Sequence, residues 1–360
     1  MMECHKFFDQ TRPELEALFS SQGISTIHAK SLFRFAYKKN ELLPWKIPGF
    51  PKKLTDNFSN FDLMAPVAIA SEHYSSYDGS VKFILQLKDG LKVEMVLMPE
   101  KKRLTLCVSS QVGCAQGCVF CHTGRMGLLR NLTPSEIVGQ IWLANKWITE
   151  HASWLVKNRL PLFQRVSNVV FMGMGEPLDN VDAVAQSISV LTDPYGPAIA
   201  LRRISVSTAG HLEGLDRLLE IHPEVRLAIS VHSADSAERS RIMPINKRWP
   251  LEDLIAKLKN LPAQQEHGLL LQYTLIRGVN DTSAHARKLI NLVKGMNVKI
   301  NLIPLNPIDP SRLKSSDQSD VEAFRDIIYK EGIRVLIRYS KGQDIAAACG
   351  QLVSEQNSNV

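Results

Sequence analysis

The sequence predicts an α/β fold on a parallel sheet, open or closed into a barrel, with a small helical module in front of it. Three observations carry this. From Cys107 onward, short runs rich in Val, Ile and Leu alternate with longer amphipathic stretches, and repeated strand–helix alternation buries its apolar faces as a parallel sheet. Residues 1 to about 90 lack that alternation at first and read as cation-bearing helices. The 360 residues, 44% hydrophobic and 22% charged, are enough for one large α/β domain and a smaller one.

In chain order, "RPELEALFSSQG" (12–23) and "HAKSLFRFAYKK" (28–39) have helical apolar spacing. The proline-punctuated "LLPWKIPGFPKKL" (42–54) then separates them from further helix, and "SVKFILQLKDGLKVEMVLMP" (80–99) turns the pattern to strands. The parallel-strand candidates are 104–110, 166–173, 203–210, 225–233, 269–278, 298–306 and 333–340. Helices are expected between them at 133–150, 179–192, 211–221, 250–262, 281–294 and 317–331. The first has a sharp start: Thr133 can cap, Pro134 suits the first helical position, and Glu136 closes a capping box. The expected domains are 1–90, helical with following strands, and 91–353, with residues 354–360 a disordered tail.

No run approaches the roughly 18 uninterrupted apolar residues of a membrane span. The opening "MMECHKFFDQTRPELEALF" has early acidic residues and no apolar signal core, so a cytoplasmic protein is expected. Structural disulfides are then disfavoured, and the six cysteines need another explanation. Net charge is +7, with local clusters at Lys38-Lys39, Lys52-Lys53, Lys101-Lys102-Arg103, Arg202-Arg203 and Lys247-Arg248. Phosphate backbones are one partner for such a surface, and a solvated basic face is the plainer alternative.

Polar and glycine residues fall where strand candidates end: Gly173-Met174-Gly175-Glu176-Pro177, Ser207-Thr208, Ser230-Val231-His232 and Asn306-Pro307. Each alone is an ordinary turn, cap or core histidine. Together they place hydrogen-bonding groups around one mouth at the carboxyl ends of the strands, where ligands of parallel α/β proteins bind.

The densest motif is "CAQGCVFCH", Cys114 to His122. Cys118 to His122 fits a c-type haem attachment signature, which an unsecreted chain disfavours. Zinc needs four ligands, and a second cysteine pair is missing because Cys4 and Cys349 are isolated; His122 can complete a set with the three cysteines, but it directly follows Cys121, where ligation by neighbours is awkward. Cys114, Cys118 and Cys121 can instead hold three irons of a 4Fe–4S cluster, the fourth iron staying open. The C-x-x-x-C-x-x-C spacing, with Phe120 before the last cysteine, is that of radical S-adenosylmethionine (SAM) enzymes.

The resemblance extends to "LCVSSQVGCAQGCVFCHTGRMGLLRNLTPSEIVGQI", "VVFMGMGEPLDN", "RRISVSTAG", "LAISVHSADSAERSRIMPIN", "YTLIRGVND", "NLIPLNP" and "IAAACGQL". With these motifs over about residues 80–353, the chain resembles the RlmN/Cfr family of radical SAM RNA methyltransferases. That resemblance implies a radical SAM partial (β/α) barrel with a helical accessory RNA-binding domain. It implies a 4Fe–4S cluster on Cys114, Cys118 and Cys121, and SAM bound by Gly175, Glu176, Ser207, Ser230, Val231, His232 and Asn306. Cys349 matches the cysteine that carries the methyl group, Glu94 the proton acceptor, and Cys107 the thiol that attacks the Cys349 sulfur, leaving a transient Cys107–Cys349 disulfide. The implied product is 2-methyladenosine in 23S rRNA, with tRNA a second substrate; an electron donor such as flavodoxin or ferredoxin and a monomeric state are implied by analogy. The rivals are a Cfr-like enzyme acting on carbon 8 and a silent iron–sulfur RNA-binding protein. Pro177 in "GEPL" favours carbon 2. His122 and the long 149–166 segment depart from the family's pattern, and Cys4 has no expected role.

Overall fold

The structure is a computed structural model that describes residues 5–51, 61–100, 103–157, 165–261, 269–308 and 312–353. Cys4, Lys52-Lys53, Lys101-Lys102, part of the 149–166 segment and the 354–360 tail lie outside them.

One ten-stranded sheet organises the chain. Its strands are β1 (Val67–Tyr74), β2 (Val81–Leu87), β3 (Lys92–Glu100) and β4 (Arg103–Val108), then β7 (Asn168–Phe171), β8 (Ile204–Thr208), β9 (Arg226–Ser230), β10 (Leu270–Leu275), β11 (Lys299–Pro304) and β12 (Arg334–Ile337). A separate hairpin pairs β5 (Gln111–Cys114) with β6 (Gly127–Asn131). The sheet order is β12-β11-β10-β9-β8-β7-β4-β3-β2-β1, so strands from β4 onward are added in chain order. All pairings from β4 to β12 are parallel, as the alternation predicted, while β1 to β4 form an antiparallel meander. Residues of β4 and of β12 line one cavity, so the sheet curls into a partial barrel.

The sheet differs from the expectation at its edge. Strand β1 lies in the stretch after the prolines that was read as further helix. Its outward positions are exposed and it pairs on one side only, so edge pairing to β2 decides its state. The position between residues 90 and 91 falls in the turn joining β2 to β3, inside the sheet rather than outside it.

The helices after β4 are α3 (His122–Met126), α4 (Pro134–Glu150), α5 (Ala152–Lys157), α6 (Val181–Thr192), α7 (Leu212–Ile221), α8 (Ser236–Ile242), α9 (Leu251–Lys259), α10 (Ser283–Leu292) and α11 (Gln318–Lys330). Helix α4 starts with the expected box: Thr133 Oγ1 accepts from Glu136 N–H at 3.2 Å, and Glu136 Oε2 accepts from Thr133 N–H at 2.9 Å. The helices bury Ile137, Ile188, Leu215, Leu254 and Leu289 in the same core as the sheet residues Leu106, Val169, Val206, Ile229 and Ile300.

The N-terminal helices α1 (Arg12–Ser21) and α2 (Thr26–Lys39) build a second core of Phe7, Phe8, Phe19, Phe33 and Tyr37. It closes against Trp142 of α4, whose ring meets Phe8 edge-on at 5.9 Å and whose Nε1–H donates to the Ala36 carbonyl at 3.0 Å.

Candidate active site

Alternate residues of a strand face one side of a sheet, and the inward ones here line two cavities along the barrel. The first, about 160 Å³, opens at the carboxyl ends of the strands. It brings together Cys114, Cys118, Cys121, Gly175, Glu176, Ser207, Ser230, His232, Asn306 and Cys349. Met172, Gln272 and Thr274, which carry no sequence signal of their own, complete the wall.

Cys114 ends β5, and Cys118 and Cys121 lie in the loop leading to α3. Cys121 N–H donates to the Cys118 carbonyl at 3.1 Å, a turn that holds the last two thiols in fixed relation. Burial pushes the Cys114 thiol up to about 12, and raises Cys118 and Cys121 as well. Ligation must therefore displace these protons, as metals do when they bind thiols. All three are free of disulfides. Among the described residues no three Cys, His, Asp or Glu side chains converge as ligands of a single metal ion. Three thiols spread around one cavity instead suit a cubane, in which each thiol takes a different iron.

Glu176 is the buried carboxylate of this cavity. Its own N–H donates to Gln111 Oε1 at 2.8 Å, and its carboxylate accepts from Ala209 N–H at 2.8 Å and Leu178 N–H at 3.1 Å. Burial pushes it up to about 7 against those donors. Gly175 allows the close approach: its φ is +103°, and a Cβ there would meet Gln111 Cβ at 2.6 Å. A buried carboxylate with open space in front suits an ammonium group.

His232 adopts the left-handed conformation, φ +53°, a strain typical of functional positions. Its Nδ1 accepts from Thr274 N–H at 2.9 Å, which leaves the other ring nitrogen to carry the proton. Burial, with Arg239 adding, holds its pKa down at about 3, so the ring is neutral. Arg239 is fully buried. Its guanidinium donates to the carbonyls of Ala209 at 2.6 Å, Ser230 at 3.1 Å and Val231 at 3.1 Å, and to Asn246 Oδ1 at 2.6 Å. It thus ties the ends of β8 and β9 together beneath the cavity. In the sequence it looks like one more cation of a charged helix, and nothing local marks it. Val231 does not line the cavity; its side chain is in the core and its carbonyl belongs to Arg239.

Residues 346–353 form an irregular strap that carries Cys349 across the barrel. The strap is tied at several points. Asn306 Nδ2 donates to the Cys349 carbonyl at 3.0 Å, His122 N–H to the Gly350 carbonyl at 2.7 Å, and Thr123 Oγ1 to the Leu352 carbonyl at 2.7 Å. Cys349 is exposed and lines both cavities, whereas Cys107 is buried and lines only the second. Burial, and the neighbouring Cys349, push the Cys107 thiol up to about 12.

Glu94 lines neither cavity. It is buried behind the strap, with Oε2 accepting from Val353 N–H at 3.2 Å and Oε1 3.5 Å from Lys82 Nζ. Lys82 Nζ also reaches the Ala346 carbonyl at 3.4 Å, so the pair grips the strap on both sides of Cys349.

Comparison with known proteins agrees with this arrangement. Residues 108–290 match the family model described as the Radical SAM superfamily. The chain is 39% identical over 358 residues to "Dual-specificity RNA methyltransferase RlmN" of Campylobacter curvus, with 96% of this chain and 92% of that protein covered. It is 36% identical over 343 residues to the protein of that name from Ruthia magnifica, with 95% and 93% covered. Among solved structures, a radical SAM methyltransferase from Sphaerobacter thermophilus superposes with a TM-score of 0.88 at 35% identity, covering 97% of this chain and 99% of that one.

Proposed function

The chain belongs to the RlmN family of radical SAM RNA methyltransferases, and on that premise we propose that it methylates carbon 2 of adenosine in 23S rRNA, and in tRNA, through an S-methylcysteine on Cys349. The observation that carries this reading is the position of Cys349 in the wall of both cavities, one with the three cluster thiols and the other with Cys107.

The chemistry requires such a cysteine. Carbons 2 and 8 of adenine are poor nucleophiles, so the methyl group must first be parked on sulfur and activated there. As a radical SAM enzyme the chain uses a 4Fe–4S cluster and SAM, and Cys114, Cys118 and Cys121 would hold the cluster. When bound, the cluster supplies the electron that cleaves SAM to a 5′-deoxyadenosyl radical. Glu176 pairs with the amino group of SAM, while Ser207, Ser230 and His232 orient the rest of it.

The Cys349 thiolate takes a methyl group from SAM by displacement at carbon, releasing S-adenosylhomocysteine. A hydrogen atom passes from that methyl to the 5′-deoxyadenosyl radical, giving 5′-deoxyadenosine and leaving a methylene radical on Cys349, which adds to the adenine carbon. The adduct radical must lose one electron, which the carrier that began the reaction would take back, and one proton, which Glu94 accepts on the reading that the strap it grips moves when the base is bound. Cys107 then attacks the Cys349 sulfur as a thiolate, the carbon–sulfur bond breaks with its electron pair on the methylene carbon, that carbon takes up a proton to become the methyl group, and the methylated base leaves behind a Cys107–Cys349 disulfide for a cellular reductant.

The test is anaerobic incubation of the reconstituted protein with SAM, a reductant and unmodified total RNA, with nucleosides resolved by mass spectrometry. A 2-methyladenosine peak supports the reading; 8-methyladenosine, or no methylated adenosine from an enzyme that cleaves SAM, overturns it.

A further inference from the structure

We propose that the RNA enters through the opposite, amino-terminal end of the barrel, its phosphates held by Arg202, Arg203 and Arg226 and its target base passing Tyr339 to reach Cys349. This rests on the RNA methyltransferase reading above.

The second cavity, about 470 Å³, is the larger of the two and is built from the starts of the strands. Barrel proteins ordinarily seal that end and use it for stability. Here it is open. The two cavities meet at Met172 and Cys349. A thiol that receives a group from one reagent and gives it to another needs a route to each, and the cluster cavity accounts for only one.

The charge of the second cavity is one-sided. Among the described residues six cations line it against a single acid, Glu100, and that acid is bonded to Arg103 at 2.8 Å. Arg202, Arg203 and Arg226 are exposed and have no ion pair among the described residues. Arginines with no structural counter-charge, crowded at one opening, repel one another unless an anion joins them, and phosphate matches their fork geometry. Beside them Tyr339 and Leu336 are 57% and 59% exposed. A free aromatic face next to unpaired cations is the equipment with which proteins stack an extruded base and hold its backbone.

The basic face of α2 is the competing location, since Arg34 and Lys38 lie near Arg165. None of these residues lines a cavity that contains Cys349. They can hold distant phosphates but cannot deliver the base.

The test compares wild-type holoenzyme with Arg203→Gln/Arg226→Gln and with Tyr339→Ala, using an unmodified 23S rRNA transcript. Each lost phosphate contact flattens the slope of log affinity against log salt by about 0.7 on single-stranded nucleic acid. The double variant is therefore expected to bind the transcript with a slope shallower by about 1.4, and Tyr339→Ala to lower kcat/KM for RNA by about tenfold, as loss of one base-stacking contact would. SAM affinity in the same preparations serves as the control for folding and is expected to stay within about twofold. Wild-type slope in the double variant, with wild-type kcat/KM for Tyr339→Ala, would overturn the entrance while leaving the methyltransferase reading intact. An arginine-dependent slope in an enzyme that forms no methyladenosine would keep the entrance and overturn the target instead.

Discussion

The side-chain amide of Asn306, just beyond the end of β11, donates both to the Cys349 carbonyl at 3.0 Å and to Ser340 Oγ at 2.8 Å. Asn306, expected from the sequence as a SAM contact, does line the cavity at the carboxyl ends of the strands, and it also fixes the backbone of the cysteine proposed to carry the methyl group. Asn306→Ala should therefore slow methyl transfer to Cys349 by about 10- to 100-fold, since small misplacement of a nucleophile costs this much. Intact-protein mass spectrometry after incubation with SAM reads the added methyl directly, and unchanged labelling would show that the strap is held well enough without Asn306.

The two thiols separate the late steps. Cys349→Ala should form no methylated adenosine, having nowhere to park the methyl group. Cys107→Ala should instead accumulate RNA covalently joined to the protein, because the adduct forms but nothing attacks its sulfur. A nuclease-sensitive shift on a denaturing gel distinguishes the two, and free product from Cys107→Ala would remove Cys107 from the mechanism.

If Glu176 pairs with the amino group of SAM as proposed, SAM binding should be pH-dependent. Its carboxyl is pushed up to about 7 by burial, and only the ionised form pairs with an ammonium group. Affinity for SAM should fall by up to tenfold per unit as pH drops below about 7 and level off above it. The stability sign is the reverse: a carboxyl with a raised pKa contributes stability below its ordinary range near 4.5 and loses it as pH rises through about 7. Glu176→Gln should weaken SAM binding, abolish its pH dependence, and gain melting temperature relative to wild type as pH goes from 6 to 8. Equilibrium dialysis and thermal melts check both halves.

Arg239→Met should lower stability by several kcal/mol, since each buried acceptor left without a donor costs about 1–3 kcal/mol. The carbonyls of Ala209, Ser230 and Val231 and the side chain of Asn246 would all lose a donor. Denaturant unfolding of the cluster-free protein measures the loss; a change below 1 kcal/mol would mean that water replaces the guanidinium.

Legibility in the sequence followed the distance over which each feature is encoded. The capping box at Thr133 and Glu136 spans one helical turn, and the three proposed cluster thiols fall within eight residues, so both could be read directly. Strand β1 was missed because its apolar positions suit more than one period and only the neighbouring strand decides between them. Lys82 and Glu94 meet across β2 and β3, and Arg239 serves carbonyls up to 30 residues away. Partners so placed leave no mark on the local pattern. The second cavity was illegible for the same reason, since its arginines come from β4, the turn before β8, β9 and the segment just after β12, and gather only when the sheet curls.

The same contrast orders the making of the site in time. The proposed cluster thiols fall within eight residues, 114–121, and need close only a short loop, whereas 241 residues lie between Cys107 and Cys349. Short loops close in well under a microsecond, while long-range pairing in a parallel sheet comes late. Iron capture can precede the finished barrel, but the two thiols meet only when β4 and the strap beyond β12 have been brought round to one another. A Cys107–Cys349 crosslink trapped by an added oxidant during refolding should thus serve as a clock for the last event of assembly.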